Sequence, residues 1–259
     1  MKRSTLPLLA LLTATTAIAQ TPPPQAVAAG YTHMAFHDEF DSPDTVSPDG
    51  MGNYNWYRTN FYSPSLTLPA WGYAIQDGFL TIYTDASGYA NGLQTADPEN
   101  TVQAWQHGYF EASILFCQYC SNGGAWPAFW ASSIEIATGQ VAEGNPYAEL
   151  DFMEYYTQGR KSTYETNVHQ FINGIPGADV QNSNDIPKIP AGTNFGTWHT
   201  YGCLWTPNQV QWYLDNKLVS TVATGPGTAF SALEQSKMFL ILGTGTWWPM
   251  SVDYVRVWQ

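Results

Sequence analysis

Positive charge is what this sequence has least of. Nine Lys and Arg stand against 21 Asp and Glu in 259 residues, a formal charge of −12. A chain so acidic repels nucleic acid and anionic lipid. The same balance weighs against a strongly sulphated or carboxylated polymer as substrate, since a polyanion needs a basic cleft. Long apolar runs are missing too: Leu6 to Leu12 is far short of the roughly 20 residues that a membrane span needs. The five histidines are scattered and show no metal-ligand spacing. Helical periodicity is almost absent, whereas period-2 segments and turn signals recur at short intervals.

The ends carry their own information. Lys2 and Arg3 precede the short apolar run, and Ala17-Ile18-Ala19 supplies a small-x-small cleavage site. That order is a secretory signal over residues 1–19, so a secreted or periplasmic location is expected. Losing its two cations takes the formal charge from −12 to −14. Residues 20–27, with Thr21-Pro22-Pro23-Pro24, read as an extended spacer, too stiff and donor-poor for a helix or an inner strand. Residues 28–259 then form one domain. Cys117 and Cys120 make a C-x-x-C and Cys203 stands apart. In an exported chain this spacing favours a small-loop disulfide over zinc, because a second ligand pair is missing.

Ile75 to Leu80 reads as two strands around an Asp77-Gly78 turn, and Asp215-Asn216 turns the chain between Gln209–Leu214 and Lys217–Val219. Further strands are expected over Thr81–Tyr83, Gly108–Phe116, Trp126–Ala131, Ala148–Tyr155, Ser162–Gln170, Trp198–Trp205, Met238–Leu242 and Val252–Trp258. Ser231 to Ser236 fits one helical turn. Many short strands separated by Gly, Pro, Asn and Asp point to an all-β sandwich. Ser132–Asn145 and Asn173–Asn194 are expected as long loops of the kind that wall a binding cleft.

Glu149-Leu150-Asp151-Phe152-Met153-Glu154 puts three carboxylates in one strand-like stretch, where burial without partners would cost several kcal/mol each. Glu149 and Asp151 are two apart and share a face. Glu154 is five residues on and would point the other way in a regular strand. A β-bulge near Phe152-Met153 would absorb the extra residue and return it to the first face. A row of acids on one face suits a retaining glycosidase, with one nucleophile and one acid that later serves as base. The outer Cα atoms would stand ~13 Å apart while the carboxyls of such a pair lie ~5–5.5 Å apart, so the side chains must lean together. Clustered carboxylates could also bind a cation, and a non-catalytic carbohydrate-binding lectin would keep the aromatics without needing the acids.

Several motifs resemble glycoside hydrolase family 16, and together they cover nearly the whole chain after residue 28. His37-Asp38-Glu39-Phe40-Asp41 resembles the family's opening D-E-F-D, and Gly108-Tyr109-Phe110-Glu111-Ala112 its G-x-x-E-A strand. Trp126-Pro127-Ala128-Phe129-Trp130 is similar to the W-P-x-F-W before the active strand. Trp198 to Tyr201, Trp205-Thr206-Pro207 and Trp212 to Asp215 follow its H-x-Y…W-T-P…W-Y-x-D run, and Val252 to Trp258 resembles the closing strand. The resemblance implies a concanavalin-like β-jelly roll with a concave substrate cleft. It implies Glu149 as nucleophile, Asp151 as its assistant and Glu154 as acid/base, with no cofactor needed for catalysis. The spacing with the extra residue is similar to the laminarinase, agarase and carrageenase side of the family. Tyr147 stands where many relatives have Trp, and Leu93-Gln94-Thr95 follows Asn91-Gly92 where many carry an Arg.

The expected activity is endo-hydrolysis of a neutral β-1,3- or mixed β-1,3/1,4-glucan by a monomer. A transglycosylase or an agarase-like galactanase is the alternative within the family. Expected substrate contacts are Trp126, Trp130, Tyr147, His169 (beside Glu154), Trp247 and Trp248. The resemblance also implies a structural Ca²⁺ held by Glu39 and Asp253 on the convex side.

Overall fold

The computed structural model describes residues 20–58, 68–83, 92–96, 103–117, 126–156, 162–175, 180–181, 187–244 and 249–259. Among the described residues, fifteen strands follow in chain order. They are β1 (Met34–Asp38), β2 (Tyr73–Gln76), β3 (Phe79–Ile82), β4 (Gly92–Gln94), β5 (Ala104–Trp105), β6 (Gly108–Phe116), β7 (Ala128–Ser133) and β8 (Pro146–Glu154). Then come β9 (Glu165–Ile172), β10 (Val180–Gln181), β11 (His199–Thr206), β12 (Gln209–Leu214), β13 (Lys217–Ala223), β14 (Met238–Gly243) and β15 (Met250–Trp258). One sheet runs β13-β12-β11-β6-β15-β3-β2 with β1 beside β15. The other runs β10-β9-β8-β7-β14-β4 with β5 beside β14.

Neighbouring strands in both sheets pair antiparallel, as the period-2 patterning requires. The two-residue turns are placed as expected. Asp77 and Gly78 have φ of 56° and 80°, and Asp215 and Asn216 have 49° and 63°, the left-handed pair of a tight hairpin. The inner faces meet in one core in which Phe110, Ile114, Trp205 and Trp212 of the first sheet pack against Phe129, Leu150, Phe152 and Leu240 of the second. The result is a β-jelly-roll sandwich.

Two segments depart from expectation. The proline-rich start is not a spacer: Pro24–Ala29 forms helix α1. A proline in the first turn costs no hydrogen bond there, because that N–H has no helical partner anyway. Ala26 is buried with Tyr109, Leu204 and Trp258, and Gln25 Nε2 donates to Tyr109 Oη at 2.6 Å. Tertiary packing thus overrides the local preference for extension. The expected loop Ser132–Asn145 begins as the end of β7 and continues as helix α2 (Ile134–Ala137).

Asp38 fastens the chain's opening motif. Its carboxylate accepts from Phe40 N at 2.9 Å, Asn55 Nδ2 at 3.0 Å, Trp56 Nε1 at 2.9 Å and the Thr45 hydroxyl. That makes Asp38 a buried, fully used acceptor with a structural role.

Candidate active site

Strand β8 carries the three acids, and its register shows how they come to share a face. Ala148, Leu150 and Phe152 join the core, so Tyr147, Glu149 and Asp151 alternate to the outer face. Against β7, Met153 pairs with Phe129 and Asp151 with Trp130, leaving Phe152 as an extra residue. Against β9, Asp151 pairs with Asn167 and Glu154 with Glu165, one residue too many on β8. This is a β-bulge at the expected place. Phe152 and Met153 both enter the core, and Glu154 returns to the face of Glu149 and Asp151.

The bulge is anchored from behind by the opposite sheet. The Phe152 ring stacks on Phe110 at 5.3 Å and 19°, and meets Phe129 edge-on at 4.6 Å. The Trp212 indole, fully buried on β12, donates through the core to the Asp151 carbonyl at 2.8 Å. This bond ties the strand step before the bulge to the opposite sheet.

On the outer face the carboxylates of Glu149 and Asp151 and the ring of His169 lie close, with one ligand atom of each within 4.8 Å of the others. These three are the group among the described residues near enough to share a metal ion. Asp151 is fully buried, and His169 Nε2 lies 3.3 Å from its Oδ2. His169 pairs with Glu149 in register and meets Asp151, and its charge also reaches Glu154. Its ring stacks on Phe171 at 5.4 Å and 8°, and Phe171 stacks in turn on Tyr147 at 5.2 Å.

Glu154 is buried beneath two aromatics. Trp126 Nε1 donates to its Oε1 at 3.0 Å and Tyr156 Oη to its Oε2 at 3.2 Å. The two rings are 5.1 Å apart. Burial raises the Glu154 carboxyl above the ordinary range; the two donors and the charge of His169 oppose this, and Glu165 on β9 adds to it. Burial first, and then the charge of Glu154, also raises Tyr156, which keeps its proton and serves as a donor. A carboxyl whose hold on its proton is strengthened by burial, beside an open aromatic (Trp126 is 44% exposed), has the properties of a general acid. Trp130 lies on the same outer face, against Phe239 and Ile241. Trp247 and Trp248 lie outside the described residues.

Of the two residues expected to hold Ca²⁺, Glu39 does not have its carboxylate open to the ion. Both oxygens of Glu39 are taken by the Arg256 guanidinium, Nε to Oε1 at 3.0 Å and Nη2 to Oε2 at 2.7 Å. Burial alone would raise Glu39; the Arg256 pair outweighs it and holds the carboxyl below its usual value. A fixed cation already occupies the Glu39 carboxylate. Among the described residues, no cluster of metal-ligating groups includes Glu39 or Asp253. Cys117 is disulfide-bonded and Cys203 is buried and free; Cys120 lies outside the described residues.

The family model for glycosyl hydrolases family 16 matches residues 74–251, which takes in most strands of both sheets and all three acids. The chain belongs to glycosyl hydrolase family 16. It is similar to the endo-1,3-1,4-beta-glycanase EglC of Rhizobium meliloti, with 27% identity over 186 residues, 68% of this chain and 35% of that protein. It is also similar to a keratan-sulfate endo-1,4-beta-galactosidase of Sphingobacterium multivorum, 28% identical over 256 residues, 87% of this chain and 55% of that one. The chain thus spans between about a third and about half of these curated relatives. Among solved structures, the catalytic domain of a laminarinase from Thermotoga petrophila shares the fold. Its TM-score is 0.60 at 19% identity, over 88% of this chain and 97% of that one.

Sequence reasoning missed four groups around the family-16 acids. Tyr156 was open to discovery, because it lies two residues beyond Glu154 and alternation resumes after the bulge. Glu165 and Phe171 depend on the register between β8 and β9. Trp212 depends on the opposite sheet, and nothing local signals its partner.

Proposed function

We propose that this chain is a secreted, retaining endo-β-glucanase that cleaves a β-1,3- or mixed β-1,3/1,4-glucan and works without a cofactor. The observation that carries the reading is the bulge, which sets Glu154, buried and inclined to hold its proton, on one face with Glu149 and Asp151. Glu149 attacks the anomeric carbon while Glu154 protonates the departing glycosidic oxygen. A glycosyl-enzyme ester forms and the bond to the leaving sugar breaks. Glu154, now ionised, takes a proton from water, whose oxygen displaces Glu149. Asp151, next to His169, adjusts the charge on Glu149.

A neutral glucan suits the acidic surface, and a glycanase with that specificity in its name is among the relatives. A monomer, exported by the signal over residues 1–19, completes the reading. A galactanase is the second reading, favoured by the galactosidase relative that matches 87% of the chain. A reducing-sugar assay on laminarin, lichenan, xyloglucan, agarose and carrageenan separates the two. Release from laminarin or lichenan is expected. Release from a galactan alone selects the second reading, and no release from any of them contradicts both.

A further inference from the structure

A cavity of about 280 Å³ opens between helix α2, the first residues of β8 and the 3-10 turn Ser231–Glu234. It lies beside the acids: Tyr147, which forms one wall, is two residues from Glu149 on the same face, about 7 Å along the strand. Its buried floor includes Ser133 and Ser236, whose hydroxyls are 2.9 Å apart. Ser133 also accepts from Ala148 N at 2.9 Å, which ties the floor to β8. The rim carries the amides of Gln140, Asn145 and Gln235.

The rim loop is latched in place. Asn173 Nδ2 donates to Val141 O at 2.6 Å, Gly144 N to Asn173 O at 2.9 Å and Asn173 N to Asn145 O at 2.9 Å. Glu135 also lines the cavity, and its Oε2 has no hydrogen-bond donor from the protein. That oxygen is the acceptor the cavity offers to a ligand hydroxyl.

The lining selects the ligand by elimination. No cationic side chain faces the cavity, and Glu135 would repel an anion. One carboxylate is too few for a hard cation, which takes six to eight oxygens. An apolar guest would desolvate amides, hydroxyls and a carboxylate without compensation. What remains is a neutral polyol whose hydroxyls donate to Glu135, accept from the amides and lay a ring face on Tyr147. The volume of about 280 Å³ falls just below the roughly 300–1,000 Å³ of pockets for drug-sized ligands and suits a single sugar ring.

We propose that this cavity binds one neutral pyranose unit, the neighbour or branch of the sugar held over Glu149. The identity of that sugar as glucose rests on the function proposed above. The test is a ¹⁵N-resolved NMR titration of the whole chain with methyl β-D-glucopyranoside, and separately with the methyl β-galactoside. Saturable shifts of the Gln140, Asn145, Gln235 and Ser236 amides are expected with the glucoside. Glu135→Ala, and independently Gln235→Ala on the exposed rim, should weaken that binding about ten-fold or more. Shifts confined to the amides around Glu149 to Glu154, no shift at about 0.2 M sugar, or equal binding by both variants would overturn the proposal. Binding of the galactoside alone, lost in both variants, keeps the cavity as a sugar site and sinks the glucan reading instead.

Discussion

Trp212→Phe tests whether the opposite sheet positions the acids. The substitution keeps a ring in the core but removes the indole N–H that donates to Asp151 O at 2.8 Å. Losing that buried hydrogen bond costs about 0.5–1.5 kcal/mol, and the small void adds roughly 1 kcal/mol. Together these lower the melting temperature by about 3–10 °C in a domain of this size. The activity effect has a different signature. The carbonyl belongs to the strand step just before the bulge, so its movement shifts Glu154 relative to Glu149. A displacement of ~1 Å at reacting groups costs about 10²-fold in rate. The loss should fall on kcat for a polysaccharide, whose poor leaving group needs protonation by Glu154. An aryl β-glycoside with an activated leaving group needs little acid help and should lose less than about ten-fold. The assays are chemical unfolding and steady-state kinetics on both substrates at one temperature. Equal losses on the two substrates, or a stability loss with kcat intact on both, would refute the positioning argument and leave Trp212 a core residue only.

Trp126→Phe removes a donor that favours the ionised form of Glu154, so the Glu154 carboxyl should rise further. Activity needs its proton, so the basic limb of the kcat/KM profile should move to higher pH; an unmoved limb contradicts the assignment. Burial pushes Glu111 up to about 7, against the pull of Arg256. Its unfolded value is lower, so stability from this group is full below about pH 4.5 and falls by about 3 kcal/mol as pH rises to 7. Urea unfolding of Glu111→Gln across that window should show a flatter pH dependence than the parent. A chelator should leave the melting temperature unchanged, because Arg256 already binds both oxygens of Glu39; Arg256→Leu should lower it, and a drop with chelator alone shows that a metal is held elsewhere.

Much of this architecture is legible in the linear chain because antiparallel strands with one buried face must alternate. Val210, Trp212 and Leu214 do so between Gln209, Gln211 and Tyr213, and their burial follows the same beat. The bulge is legible for the same reason: Glu154 is out of phase with Glu149 and Asp151, and a bulge restores the phase without moving the strand. What stays hidden depends on contacts between distant segments. Pro24–Ala29 becomes a helix because Ala26 finds a buried seat beside Tyr109, Leu204 and Trp258. Glu39 reads as a metal ligand until Arg256, far along the chain, is seen to fill both its oxygens. His169 meets Asp151 and also reaches Glu154 by its charge, a placement set by the register between β8 and β9 and written in neither strand alone.

The division of labour between Glu149 and Glu154 is tested most directly by azide rescue of two variants on an activated β-glycoside. Glu149→Ala removes the attacking carboxylate and leaves a small hole that azide can fill. A single displacement then inverts the centre and yields the α-glycosyl azide. Glu154→Ala keeps Glu149, so the glycosyl-enzyme still forms and azide releases it in a second inversion as the β-glycosyl azide. Proton NMR of the anomeric centre distinguishes the two products. An α-azide from Glu149→Ala with a β-azide from Glu154→Ala is the predicted result; the same anomer from both, or the two exchanged, would contradict it.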